Sequence, residues 1–141
     1  VEMEGTCRNY TPAVREMVEK RMGEIVKGVA EGMGAKAELR YIHGYSPLIN
    51  DAGMVKLLEE VATEICGAEH VNIPNEASMG GEDFSFFAEK APGVFYRTGC
   101  HKAGEPIWST HNEHMVVDPA CFPIGMQIMV NCALTYLERN S

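Results

Sequence analysis

The sequence predicts an α/β chain. It reads as a two-layer lobe of strand, long helix and strand, followed by helices packed on a short-stranded sheet. Three observations carry this expectation. Residues 1–10 and 36–45 alternate side-chain character with period two. Between them Val14, Met17, Val18, Met22, Ile25, Val29 and Met33 recur at three- and four-residue steps. From residue 46 onward, helical patterns alternate with short apolar runs.

The first strand places Met3, Gly5 and Cys7 on one face and Glu2, Glu4, Thr6 and Arg8 on the other. It begins without a leader, which suggests a chain cut from something longer. Thr11-Pro12 opens the long helix, a hydroxyl N-cap before a proline whose fixed φ suits the first turn. Gly32 and Gly34 supply its stop. Ala37, Leu39 and Tyr41 against Glu38, Arg40 and Ile42 give the returning strand, and Gly44-Tyr45-Ser46-Pro47 breaks it. Asn50 or Asp51 caps a second helix carried by Met54, Leu57, Leu58, Val61 and Ile65 and stopped by Gly67. Val71–Ile73 reads as a short strand, Ser78–Gly81 as a turn, Glu82–Lys90 as a short helix and Val94–Cys100 as a buried strand. Residues 101–118 form a polar loop holding His101, His111 and His114. Asp118-Pro119 opens a last helix that is apolar around much of its girth and is expected to pack between layers.

Composition excludes several classes. With 45% hydrophobic and 23% charged residues, the chain is neither disordered nor coiled-coil. It has no apolar run of about 18 residues, so no membrane partner is expected, and no signal-peptide pattern. Twelve basic residues against twenty acidic ones give a net charge of −8, which disfavours a nucleic-acid partner. Five widely spaced cysteines without a CxxC point to reduced thiols and a cytoplasmic setting.

Three clusters could carry chemistry. His111 and His114 sit three apart on the polar loop. Imidazole is the commonest metal ligand, yet no second pair stands at zinc-motif spacing, so solvated side chains are the ordinary reading. Gly80, Gly81 and Glu82 lie in Met79-Gly80-Gly81-Glu82-Asp83-Phe84, where glycines allow close approach of a ligand. A capping acid in a tight turn is the plainer reading. Arg8, after Gly5-Thr6-Cys7, has the geometry to hold a carboxylate by paired hydrogen bonds, although most such arginines are plain surface charges.

Gly5-Thr6-Cys7-Arg8, Gly44-Tyr45-Ser46-Pro47-Leu48-Ile49-Asn50-Asp51, Met79-Gly80-Gly81-Glu82-Asp83-Phe84 and Thr110-His111-Asn112 follow one another in that order. Together they resemble the C-terminal part of the dinuclear-zinc aminoacylase and carboxypeptidase family, in particular its hippurate hydrolase and indole-acetyl-amino-acid hydrolase branch. The resemblance implies that residues 1–45 are the second half of a lid and dimerisation domain, and residues 46–141 the C-terminal part of the catalytic domain. It implies hydrolysis of N-acyl amino acids by metal-activated water, with two zinc ions in the complete enzyme (manganese or cobalt being alternatives) and a homodimer formed through the lid lobe. His111 matches the family's final metal-binding histidine, with Glu113 a candidate to hold its other ring nitrogen. Arg8 matches the lid arginine that grips the substrate carboxylate. Gly80, Gly81 and Glu82 match the turn lining the substrate cleft. Asn112-Glu113-His114-Met115 departs from the branch's usual pattern, in which a proline and an aromatic are common. The remaining metal ligands and the catalytic glutamate match nothing in these 141 residues, so no catalytic residue is assigned and the isolated chain is expected to be inactive.

The alternative is a non-catalytic α/β interaction and dimerisation module using an exposed sheet edge. A thiol enzyme built on Cys100 and His101 is a weaker option, because neighbouring residues at a strand end point apart. The metalloenzyme reading expects His111 to face a hollow and residues 1–10 to pair in a sheet beside the long helix.

Overall fold

The computed structural model describes residues 1–74 and 76–141. These residues form helices α1 (Pro12–Gly32), α2 (Ala52–Cys66), α3 (Ser85–Ala88) and α4 (Cys121–Arg139), with one 3-10 turn at Ala68–His70. The chain divides into two units, Val1–Ile49 with Glu76–Ala91, and Asn50–Asn75 with Pro92–Ser141.

The two helices before residue 70 follow the sequence closely, the short helix expected over Glu82–Lys90 covers only Ser85–Ala88, the last helix starts at Cys121 rather than at Pro119, and the predicted sheet is overturned. Among the described residues there is no strand, so the α/β assignment fails for both the strand–helix–strand lobe and the short-stranded sheet. The reason is that period-two alternation is local, whereas a strand also needs a neighbour to complete its hydrogen bonds. Among the described residues no backbone hydrogen bond joins 1–10 to 36–45, and Val71–Ile73 and Val94–Cys100 have no ladder either.

In the first unit, Thr11 caps α1 by accepting a hydrogen bond from the Val14 amide at 3.3 Å, and Pro12 occupies the first turn. The helix ends in a Schellman motif. Gly34, at φ 69°, donates to the Glu31 carbonyl, and Ala35 donates to Ala30 at 2.8 Å. The returning segment is tied to α1 by polar contacts. Arg15 Nη2 donates to the Gly44 carbonyl at 2.8 Å, and His43 Nε2 lies 2.7 Å from Glu19 Oε2. No residue of α1 is buried, and of its apolar stripe Val14, Met17, Ile25, Val29 and Met33 are exposed while Val18 and Met22 are half-buried. Segment 76–91 joins this unit, with the Tyr10 hydroxyl donating to the Ala77 carbonyl at 3.1 Å. Within it, Ser85 is fully buried and its Oγ has no hydrogen-bond partner among the described residues. An unmet buried hydroxyl costs about 1–3 kcal/mol.

The second unit is built on α2 packed against α4. Leu57, Val61 and Ala62 of α2 and Ile128 of α4 are its buried apolar side chains. The expectation that α4 lies between layers fails. Of its apolar residues only Ile128 is buried, and Phe122, Met126, Met129, Val130 and Leu137 are exposed. Arg139 Nη2 meets Glu60 Oε2 at 2.9 Å across the helix pair, a half-exposed ion pair of small energetic weight.

Asp51, rather than Asn50, caps α2, accepting from the Met54 amide at 2.9 Å. Asn50 has another task. Its Nδ2 donates to the Phe95 carbonyl at 3.0 Å and its Oδ1 accepts from the Phe95 amide at 2.9 Å. One side-chain amide thus pairs with an extended backbone as a neighbouring strand would. The Asp51 amide adds a bond to the Gly93 carbonyl at 2.9 Å. Segment 94–100 then crosses α4. The Tyr96 hydroxyl donates to the Gly125 carbonyl at 3.0 Å, and a Cβ at Gly125 would meet Thr98 Oγ1 at 3.3 Å.

Burial pushes the Tyr96 hydroxyl above its ordinary 10.0, with the nearby Cys132 thiol adding to the shift, and burial pushes Cys132 above its ordinary 9.0. In both cases the fold favours the neutral, protonated group. Their stabilising contribution is therefore complete below those ordinary values and lost as pH rises through the raised ones. In thermal melts from about pH 8 to about pH 11 the midpoint should fall on the alkaline side, and Cys132→Ala should make that fall shallower. An unchanged slope in the variant would show that Cys132 does not titrate with unfolding.

Candidate functional site

The structure brings Arg8 and Gly81 together. From the position a Cβ would occupy on Gly81, Arg8 Cζ and Nη2 both lie at 3.4 Å, and Tyr45 Cδ2 lies at 3.4 Å from the same point. A guanidinium and an aromatic ring thus converge on a backbone position that carries no side chain. Tyr10, two residues beyond Arg8, anchors to Ala77, which holds the two segments side by side. Arg8 is exposed and, among the described residues, makes no ion pair or hydrogen bond, so its five donors are free for a ligand. Gly80 lies in the same turn, its amide donating to Ser78 Oγ at 3.2 Å. Glu82 is engaged locally, its Oε1 accepting from the Phe84 amide at 3.3 Å at the start of α3. This bond closes the turn just before α3, and α3 itself has no side-chain cap.

Tyr45 is the residue that sequence reasoning missed here. It stands in the Gly-Tyr-Ser-Pro break, where the signal is for chain direction and nothing marks the aromatic ring. Its ring meets Phe86 edge to face, with centroids 5.8 Å apart and planes at 72°.

His111 lies in the second unit, on the 100–118 loop. The neck of this loop is closed by the Asp118 amide donating to the Cys100 carbonyl at 2.8 Å. A turn fixes the tip. The Asn112 amide donates to the Ser109 carbonyl at 3.2 Å, Asn112 Oδ1 accepts from the His114 amide at 2.9 Å, and the Met115 amide reaches the Asn112 carbonyl at 3.1 Å. His111 itself has φ 71°, the one non-glycine in the left-handed region among the described residues. That conformation costs an ordinary L-residue roughly 1–2 kcal/mol, and strain of this kind collects at functional positions. Its imidazole is exposed and free of protein partners among the described residues.

Two expectations about this loop change. Glu113 sits beside His114, with Oε1 3.5 Å from its Nε2, so it does not hold the His111 ring. A hollow of about 80 Å³ does open in the loop, but its walls are Cys100, Trp108, His114 and neighbours, without His111. Trp108 and His114 close one side of it, with ring centroids 5.1 Å apart.

Among the described residues no three His, Cys, Asp or Glu side chains are grouped to hold a metal. The described residues therefore offer no complete metal site, since a zinc centre needs at least three protein ligands. No helix among the described residues is long and apolar enough to cross a membrane.

Comparison with known proteins defines the class. A family model for peptidases of family M20/M25/M40 matches residues 3–135, and the chain belongs to that family. It is 37% identical to the probable hydrolase sll0100 of Synechocystis over 99% of this chain and 36% of that protein. It is 31% identical to the N-acetylcysteine deacetylase of Bacillus subtilis over 97% of this chain and 34% of the enzyme. It is 29% identical to the putative amidohydrolase YhaA of the same organism over 94% and 33% respectively. The chain thus spans about a third of the length of these curated relatives. No solved structure matches it. Membership of the family rests on this match and needs neither the sheet pairing of residues 1–10 nor a hollow at His111.

The left-handed backbone of His111 can be tested. His111→Gly and His111→Ala both remove the imidazole, but only glycine accepts φ 71° without strain. The glycine variant should be more stable than the alanine variant by about 1 kcal/mol in denaturant titration. Equal stabilities would mean that the position is not strained.

Proposed function

We propose that the chain is part of a metal-dependent amidohydrolase that cleaves N-acyl amino acids. The observation that carries this reading is the family match over residues 3–135, taken with relatives whose names are those of amidohydrolases and deacetylases. The free Arg8 guanidinium beside Gly81 adds independent support, because an N-acyl amino acid carries a carboxylate that a planar, two-donor group recognises well.

On this reading His111 contributes one imidazole to a divalent metal centre whose other ligands lie outside these residues. The metal is zinc, with manganese or cobalt as the alternatives, and the complete enzyme holds two ions. When bound, the metal supplies an activated water. The chain's own residues bind and orient. Arg8 grips the carboxylate of the leaving amino acid, while Gly80 and Gly81 leave room for that group to approach the backbone. Glu82 shapes the turn. The protein works in the cytoplasm as a homodimer through the lobe of residues 1–45, where the bare stripe of α1 is available for burial. By itself the chain is inactive, for want of the remaining ligands and the catalytic glutamate.

The rival reading, a non-catalytic module pairing through a sheet edge, loses its basis because the described residues contain no strand.

Two measurements on the full-length parent enzyme test the proposal. His111→Ala should lower the bound metal per chain and nearly abolish turnover; full metal content in the variant would remove the ligand role. Arg8→Ala should raise KM for substrates with a free carboxylate by about 10- to 100-fold, the loss of one charge-assisted contact, and leave KM for the matching amides nearly unchanged. Equal increases for acid and amide would remove the carboxylate role.

A further inference from the structure

The convergence on Gly81 carries more than a carboxylate clamp. We propose that Tyr45 and Phe86 form a wall that receives the side chain of the amino acid whose carboxylate Arg8 holds, so that the site selects aromatic and large apolar amino acids over small ones. The inference rests on the Arg8 reading above and adds the chemistry of the group beside it.

Four observations support it. Arg8 Cζ and Tyr45 Cδ2 each lie 3.4 Å from one point in space, the Cβ position of Gly81. An α-amino acid carries its carboxylate and its side chain on the same carbon, so a carboxylate on Arg8 puts the side chain within a few ångströms of the Tyr45 ring. That ring is not isolated. Phe86 packs against it edge to face at 5.8 Å, which extends the apolar surface and fixes its tilt. Both rings remain open to a ligand, Tyr45 at 53% exposure and Phe86 at 49%. Finally, the floor is glycine. A methyl group at Gly81 would sit in contact with both Arg8 and Tyr45 and take the space a ligand needs. An aromatic wall beside the Arg8 guanidinium matches the two ends of an aromatic or apolar amino acid.

The test is amide NMR on the metal-free full-length parent enzyme, which cannot turn the ligands over, following the Gly81 amide during titration with N-acetyl-L-phenylalanine, N-acetyl-L-alanine and N-acetyl-L-phenylalanine amide. The phenylalanine acid should bind about five- to tenfold more tightly than the alanine acid, the gain expected from one aromatic contact. The amide should bind more weakly than the acid. Tyr45→Ala should erase the preference for phenylalanine while the acid still outcompetes the amide. Tyr45→Phe should keep both preferences, and it guards against a variant that merely misfolds. Equal affinity for the two acids in the unaltered chain, with the amide still weaker, would overturn the aromatic wall and leave the Arg8 role standing. Equal affinity for acid and amide, or no movement of Gly81 with any of the three, would overturn the Arg8 role and this inference with it.

Discussion

The second unit depends on the hydrogen bonds made by one side-chain amide. Asn50 donates to and accepts from the backbone of Phe95, and Asp51 beside it both caps α2 and binds the Gly93 carbonyl. Two consecutive residues therefore start a helix and anchor a distant extended segment. From that anchor the chain runs over α4 to Cys100, whose carbonyl closes the loop bearing His111. Deleting the Asn50 amide would remove both of these hydrogen bonds, and the placement of the loop neck would loosen with them. The candidate metal-binding histidine is thus held by a chain of polar contacts that begins at the start of α2.

The first unit uses a different device. Its extended segments carry no ladder, and their positions are set by long side chains: Arg15 on Gly44, His43 on Glu19, and Tyr10 on Ala77. Such contacts fix where a segment lies without satisfying all of its backbone. They also leave the Arg8 guanidinium uncommitted, beside a Tyr45 ring that packs on Phe86 and is still half open to solvent. The ligand chemistry proposed for this unit arises from that incompleteness, because a side chain with no protein partner is available to a small molecule.

How much was legible in the sequence follows from the range of each interaction. The α1 cap at Thr11, the Gly34 reversal, the α2 stop at Gly67 and the extent of the long helices depend on residues within a turn of one another, and the residue types alone predict them. That the alternating segments form no strand among the described residues was not legible, because alternation records only which faces differ and says nothing of whether a neighbour exists. The same limit applies to the site. That Arg8 and Gly81 meet, with Tyr45 at the same point, is a contact across more than seventy residues and left no trace in spacing. Glu113 was assigned to His111 on proximity along the chain. In the structure Glu113 lies by its sequence neighbour His114 instead, a side-chain direction that no residue type announces.

The uncovered helix faces carry a chemical liability. Of the nine methionines, Met3, Met17, Met33, Met79, Met126 and Met129 are exposed. Thioethers open to solvent are oxidised readily, and each sulfoxide turns a flexible apolar side chain into a polar one. Peroxide would therefore reach α1 and α4 before it reached Leu57 or Ile128. A sample left in air would lose the oily character of those two helices while its small interior stayed intact, and the extra sixteen mass units on peptides from the two helices would record that order.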